Sequence, residues 1–248
     1  MNHRENSACG LVLPTYGETE SISKLLLQLD VAIPSNWHFI IVDDSPTDQT
    51  ARIVMETFKE LKRNSMQLHF LKNSKKSGRG AAVQQGFKYA LSAFKVHQLI
   101  EMDSDGSHTV ESVLELIKLP QTHQFVVGSR YLSESRIIGW PLIRRIFSCA
   151  INKVLKIVFR IKLNDWTNGL RRYSVEAIEI QTDYNFLNKG FIGLSEQVLL
   201  LNQKGITPFE VPITFIERVH GKSTVTFTEI FNSAKGISGL YFHKGKWL

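Results

Sequence analysis

Leu99-Ile100-Glu101-Met102-Asp103-Ser104-Asp105 decides how the rest of the chain is read. An apolar run breaks off at two carboxylates one residue apart. Four comparable apolar runs precede or follow it, Gly10–Pro14, Phe39–Asp43, Leu68–Leu71 and Phe125–Gly128, each ending in polar or Gly-containing sequence. Between them lie segments with helical spacing. Glu18–Leu29 carries Ile22, Leu25, Leu26 and Leu29; Thr47–Leu61 carries Ala51, Val54, Phe58 and Leu61. Gly80–Phe94 carries Val83, Phe87, Ala90, Leu91 and Phe94, and Val110–Ile117 is shorter. Apolar strands alternating with amphipathic helices predict βαβ units, and so an α/β fold with a mainly parallel sheet flanked by helices. Ligands on such sheets bind beyond the carboxyl ends of the strands. The polar residues after Pro14, Asp43, Asp103 and Gly128 are therefore expected to converge on one crevice.

Asp103 and Asp105 at a strand end are hard oxygen donors suited to Mg²⁺ or Mn²⁺, which keep open positions for substrate phosphates. Ser107 can add a hydroxyl. Asp-x-Asp is also common in turns, where Asp caps its own backbone. Asp43 and Asp44 form a second acidic cluster; adjacent carboxylates repel and need donors such as a ribose, a base edge or backbone N–H groups. Thr47 or Asp48 reads equally well as a helix N-cap. Ser77-Gly78-Arg79-Gly80-Ala81-Ala82 lacks the Lys-Ser/Thr of a P-loop and reads as a tight entry into the next helix. No histidine pair has metal spacing, and His108 alone stands beside an acidic motif.

The 248 residues carry a formal charge of +7. Between Arg130 and Arg172 lie ten basic residues against two acidic ones, a local charge of +8, while the remainder is near neutral. Such an excess predicts a local anionic partner, whether phosphate, lipid headgroup or nucleic acid. The segment lacks the interleaved aromatics of single-strand binders, which argues against nucleic acid. Pro141–Lys162 falls inside it. On a helical wheel Ile143, Ile146, Phe147, Ala150, Ile151, Val154 and Val158 share one face, and Arg145, Ser148, Asn152, Lys153, Lys156 and Arg160 the other. Such a helix suits the plane of a membrane interface or packs on a core as an ordinary surface helix. Periodicity alone favours the ordinary placement. Asn164–Tyr173 reads as a Gly-rich polar turn, followed by an αβ stretch to about Ile216 and a basic loop over Glu217–Thr224. The basic C-terminus, His243–Leu248, is a further candidate for headgroup contact.

The composition, 43% hydrophobic, is that of a globular protein rather than a disordered one. The length predicts one domain over 1–248, with 141–162 its amphipathic helix. Two cysteines, Cys9 and Cys149, cannot make a disulfide framework and predict a reducing compartment. The sequence shows no apolar run of spanning length and no signal-peptide pattern at its start.

The order of these motifs resembles glycosyltransferase family 2 with the GT-A fold, and within it the polyprenyl-phosphate (dolichyl-phosphate) mannosyltransferases. The resemblance runs from about Leu11 to Thr224. It is carried by Leu13–Glu18, Val42–Ser45, Gly78–Ala82, Met102–Asp105, Gly128–Tyr131, Asp165–Arg171 and Glu217–Ser223. It implies that Pro14, Tyr16 and Glu18 hold the base and ribose of a nucleotide-sugar, GDP-mannose being favoured, with Val42 and Asp44 beside them. Asp103 and Asp105, with Ser104 between them, would sit at the donor pyrophosphate and hold Mg²⁺ or Mn²⁺, Ser107 standing at the third ligand position. Arg130, catalytic with Asp103 and Asp105, would serve the phosphates of both donor and lipid acceptor, and Arg218 and Lys222 the donor. Arg144 and Ser148 would bind the polyprenyl or dolichyl phosphate, which turns Pro141–Lys162 into an interfacial helix. The family's second acidic motif often lacks a proline where Pro46 follows Ser45. Gly106 replaces a usual apolar residue, and Thr224 stands where a donor-binding Lys is usual.

The implied activity is metal-dependent, inverting transfer of a sugar, most simply mannose, onto a lipid phosphate by a peripheral enzyme at the cytoplasmic face of a membrane. Many members carry C-terminal membrane helices. Their lack here implies a membrane-anchoring partner subunit or reliance on the amphipathic helix. Two alternatives stay open: another donor such as UDP-glucose or a non-lipid acceptor, and a non-catalytic nucleotide-sugar or lipid-phosphate binder.

Overall fold

A computed structural model describes residues 8–34, 36–61, 67–188, 191–217 and 227–242. The first half alternates as the apolar runs predict: β1 (Ala8–Thr15), α1 (Thr19–Ala32), β2 (Trp37–Asp43), α2 (Gln49–Glu60), β3 (Gln67–Lys72), α3 (Arg79–Ala93), β4 (Val96–Glu101), α4 (Val110–Lys118) and β5 (Phe125–Ser129). There follow β6 (Arg136–Ile138), α5 (Leu142–Phe159), β7 (Arg171–Ser174), α6 (Val175–Thr182), α7 (Phe191–Gln203), β8 (Pro208–Pro212), β9 (Thr214–Ile216) and α8 (Phe227–Phe242).

Seven strands form one sheet in the order β3-β2-β1-β4-β7-β5-β8, and β6 pairs with β9 in a small second sheet. β1, β2, β3 and β4 run parallel, as do β5 and β8. β7 lies antiparallel between β4 and β5. Its first three residues, Arg171, Arg172 and Tyr173, fall in the stretch read as a polar turn. The stretch read as polar because two of the three are arginines, yet all three are buried.

Alternation along the strands builds two cores, one on each sheet face. Val12, Ile40 and Val42 face α3, α5, α6 and α7. Leu11, Leu13, Phe39 and Ile41 face α1 and α4. From β1 the chain winds outward through β2 and β3, then returns to β4 on the other side of β1. The strand order therefore reverses between β1 and β4, the point at which sheets of this kind open a crevice. Asp103 and Asp105 lie just beyond the carboxyl end of β4.

Helix α5 forms where expected but is rotated about its axis relative to the helical-wheel assignment. Asn152, placed on the solvent face by polarity, is buried together with Leu155 and Phe159. Its Nδ2 donates to Ser148 O at 2.8 Å, and its Oδ1 accepts from Trp166 N at 2.6 Å. Leu142, Ile143, Ile146, Val154 and Ile157 point outward, Ile143 being 76% and Ile157 69% exposed. Ile151 and Val158, from the expected apolar face, pack partly on the core.

The local charge of +8 also needs correction as a measure of surface. Arg171 donates to the carbonyls of Asn168, Leu194 and Trp166. Arg172 donates to those of Leu116, Leu119, Pro120 and His123, at the end of α4 where helix carbonyls lack partners. Arg130 is buried against Asp165. These three cations hold the fold together. Arg136, Arg145, Lys153, Arg160 and Lys162 are the exposed ones.

Candidate active site

A cavity of about 320 Å³ lies over the carboxyl ends of β1, β2 and β4 and is closed on one side by α5. Pro14, Tyr16, Glu18, Asp44, Asp103, Ser104, Asp105, Ser107, Arg130, Arg144 and Ser148, all predicted from sequence, line it. Val42 does not. Its side chain is fully buried beneath α3, in the core. Arg218, Lys222, the remainder of the basic loop to Thr224 and the C-terminal residues His243–Leu248 lie outside the described residues.

At the β1 end, Glu18 folds back on its own turn: its Oε2 accepts from Thr15 Oγ1 at 3.0 Å and from Tyr16 N. Tyr16 is 45% exposed, with the Lys76 ammonium 3.7 Å from its ring centre. The ring face away from Lys76 is a surface on which a flat group can stack. The donors that Asp43 and Asp44 require are present. Asp43 pairs with Lys72 at 2.8 Å. Asp44 accepts from Ser77 N at 2.9 Å, Gly78 N at 2.7 Å, Ser77 Oγ at 2.9 Å and Asn73 Nδ2 at 2.7 Å. These bonds pin the turn into α3, where Gly78 takes φ 92°, a conformation open to glycine.

Immediately after that turn comes Arg79, a site residue the sequence reading passed over. Its Nε donates to Asp103 Oδ1 at 2.5 Å, its Nη1 to Glu101 Oε2 at 3.2 Å and its Nη2 to Gly169 O at 3.0 Å. A side chain at Gly169 would strike this guanidinium and Asp103. Glu101 is wholly buried and also accepts from Tyr173 Oη at 2.6 Å. Burial alone would raise the Asp103 pKa, but Arg79 and then His108 outweigh it and hold the carboxyl well below its ordinary range. Asp103 is thus kept ionised. A charged residue inside the apolar strand β4 was the available signal for this network.

Ser104 Oγ donates to Pro14 O at 2.8 Å, tying the acidic loop to β1. Ser107 N donates to Asp105 Oδ1 at 3.0 Å. Both ring nitrogens of buried His108 lack hydrogen-bond partners, and Nε2 stands 3.7 Å from Asp103 Oδ2. The Asp103 and Asp105 carboxylates and the Ser107 hydroxyl are hard oxygen donors of the kind that suit Mg²⁺ or Mn²⁺. Among the described residues no three His, Cys, Asp or Glu side chains converge on one point, so an ion here would draw other ligands from substrate or water.

On the opposite wall, Arg130 Nε and Nη2 bind Asp165 in a fork at 2.7 and 2.8 Å, and Nη2 also reaches Thr167 Oγ1 at 2.9 Å. Arg130 therefore anchors the loop before β7 while lining the cavity. Arg144, on the first turn of α5, stacks its guanidinium 4.1 Å from the Trp140 ring centre and pairs with Glu217. Ser148 follows one turn later.

Residues 11–182 match the family model for Glycosyl transferase family 2. The chain belongs to that family. Among curated relatives, this glycosyltransferase is 31% identical over 216 residues to the undecaprenyl-phosphate mannosyltransferase of Micrococcus luteus, covering 87% of this chain and 86% of that one. It is 29% identical over 223 residues to the polyprenol monophosphomannose synthase of Mycolicibacterium smegmatis, covering 89% and 82%. A solved structure of glucosyl-3-phosphoglycerate synthase from Mycobacterium tuberculosis, with Mn²⁺, UDP and glucosyl-3-phosphoglycerate, superposes with TM-score 0.65. Its identity is 13%, with 97% of this chain and 81% of that chain covered. The mannosyltransferase PcManGT of Pyrobaculum calidifontis, with GDP-Man and Mn²⁺, gives TM-score 0.60 at 16% identity, covering 96% and 63%. These structural likenesses establish the GT-A-like fold predicted above.

Proposed function

We propose that this glycosyltransferase moves mannose from GDP-mannose onto a polyprenyl phosphate at a membrane surface, on the cytoplasmic side. The observation that carries the reading is one cavity with two different walls. The acidic loop after β4 forms one wall. The other is the first turns of α5, whose Arg144 and Ser148 face inward while Leu142, Ile143 and Ile146 face outward. A lipid phosphate entering along the exposed apolar stripe reaches Arg144 with its chain still in an apolar environment. Both curated relatives have names that carry mannosyl transfer to, or synthesis of, a polyprenyl phosphate-linked mannose, which supports mannose as the sugar and a lipid phosphate as the acceptor. Among the described residues no helix is long and apolar enough to cross a membrane.

Asp103 and Asp105, with Ser107 at hand, would hold Mg²⁺ or Mn²⁺. When bound, the cation supplies positive charge for the diphosphate leaving group. The chain's own groups do the rest. Tyr16, Glu18 and Asp44 orient the nucleoside end. Arg79 keeps Asp103 ionised and aimed into the cavity. Arg144 and Ser148 hold the acceptor phosphate, and Arg130 braces the wall behind it. The acceptor phosphate is already an anion, so no general base is needed to create the nucleophile. Catalysis then rests on alignment and on stabilising the departing charge. A single in-line displacement inverts the anomeric centre.

The test separates donor from acceptor. A charge-assisted contact contributes roughly 1.5–3 kcal/mol, so Arg144→Ala should lower kcat/KM for a short polyprenyl phosphate by about ten- to a hundredfold. Ser148→Ala should cost less. Calorimetric affinity for the donor nucleotide should be unchanged. Equal losses on both sides would place Arg144 in the donor site or the fold instead, and no loss on either would favour a soluble acceptor.

A further inference from the structure

Gly139-Trp140-Pro141 joins β6 to α5. Both neighbours restrict Trp140. Gly139 takes φ 85°, and a Cβ there would stand 2.9 Å from Glu217 Cβ. Pro141, at the N-cap of α5, confines the residue before it to extended backbone. Buried Phe215 of β9 meets the indole at an interplanar angle of 71°, with ring centres 5.3 Å apart. Backbone and packing thus place the half-buried ring. Two guanidiniums stand against it, Arg144 at 4.1 Å and Arg130 at 5.1 Å from the ring centre. Trp140, Arg130 and Arg144 all line the cavity. Among the described residues the buried Nε1 of Trp140 has no hydrogen-bond partner. A phenylalanine would avoid that cost, whereas tryptophan offers the aromatic face that holds a cation best.

We propose that Trp140 is a positioning residue for the acceptor phosphate, acting through Arg144 rather than by touching the phosphate. The inference rests on the proposed role of Arg144 at that phosphate. A long arginine side chain loses rotamer freedom when it grips a ligand, and holding it beforehand removes part of that cost. Glu217 also holds Arg144, but through the in-plane N–H groups that a phosphate fork needs. The indole takes the guanidinium by its face and leaves those N–H groups to the ligand. The contact with Trp140 therefore persists when phosphate replaces the carboxylate. Arg130, itself fixed by its fork to Asp165, lies against the same ring. The indole thus sets Arg144 relative to the anchored cation of the same wall.

The experiment uses the full chain with GDP-mannose and Mn²⁺. It measures kcat/KM for a short polyprenyl phosphate and, by calorimetry, affinity for the donor nucleotide. Trp140→Leu should lower kcat/KM for the acceptor by about ten- to thirtyfold, the loss of a largely desolvated cation–π contact. Trp140→Phe keeps an aromatic face and should cost no more than about threefold. Donor affinity should be unchanged in both, which shows that each is folded. In an Arg144→Ala background, Trp140→Leu should cost less than about twofold more, because the two residues act as one unit. Wild-type kinetics in Trp140→Leu would overturn the proposal. So would equal losses in the Leu and Phe variants, which would put the effect on the indole N–H. A full loss that persists in the Arg144→Ala background, or a parallel fall in donor affinity, would make Trp140 a part of the fold instead. If Arg144→Ala alone leaves kcat/KM for the acceptor unchanged, it is the acceptor assignment of Arg144 that fails, and the role of Trp140 with it.

Discussion

Arg79 Nε lies 2.5 Å from Asp103 Oδ1, and the same guanidinium reaches Glu101 in β4 and the carbonyl of Gly169. One cation thus fixes the acidic loop to the strand below it and to the loop before β7. Its placement at the start of α3 depends on the Asp44-bound turn, so the Asp44 end and the acidic end of the cavity are mechanically one unit. Removing it leaves Glu101 buried with Tyr173 as its remaining donor. Breaking such a pair costs about 3–5 kcal/mol when fully buried. The partial exposure of Arg79 brings the expectation for Arg79→Ala to about 2 kcal/mol. Arg79→Lys keeps the charge but cannot fork to three acceptors; it should retain the fold and lose at least tenfold in kcat/KM. Denaturant unfolding and steady-state kinetics check the two halves. Wild-type stability in Arg79→Ala would show the network to be dispensable.

Membrane association should depend on the outward stripe of α5. Ile143→Glu with Val154→Glu should abolish flotation with anionic liposomes, and high salt should weaken the wild type because Arg145, Lys153 and Arg160 are exposed nearby. Both substituted residues face solvent, so the thermal midpoint should be little changed. Loss of folding would place the helix in the core.

Stability should fall on the acid side of neutrality. His38 Nδ1 and His69 Nε2 are 2.9 Å apart, and His69 Nδ1 meets Tyr89 Oη at 2.9 Å. Burial lowers both imidazole pKa values below 6.5, and for His38 the neighbouring His69 adds to the effect. The unfolded chain therefore takes up protons at a pH where the folded chain does not. The stabilisation is complete above about pH 6.5 and is lost as pH falls through the folded-state values. Thermal midpoints measured from pH 7.5 down to 5.5 should decline, and His69→Gln should flatten the decline. A midpoint independent of pH would contradict the pairing.

How far the sequence could be read follows from what polarity patterns encode. β1 to β5 and α1 to α4 were legible because their buried residues are apolar at the expected periods. β7 was not, since Arg171 and Arg172 satisfy their charges on buried carbonyls and so look like surface. The rotation of α5 escaped for the same reason: Asn152 is polar and buried, while Ile143 and Ile157 are apolar and exposed. The acidic loop and Asp44 were legible from their place at strand ends, and Tyr16, Arg144 and Ser148 from motif order; all of them line the cavity. Arg79, Glu101 and Glu217 were missed because each acts through a partner distant in sequence. Val42 was placed by analogy, and its side chain belongs to the core.

The most direct test incubates the protein with radiolabelled GDP-mannose, a short polyprenyl phosphate and Mn²⁺, and measures label extracted into organic solvent. The account predicts a lipid-linked mannosyl phosphate that forms only with both metal and acceptor, vanishes in excess chelator, and is abolished in a folded Asp105→Asn variant. Label that stays in the aqueous phase as free mannose or on a soluble acceptor, or undiminished transfer by Asp105→Asn, would contradict it.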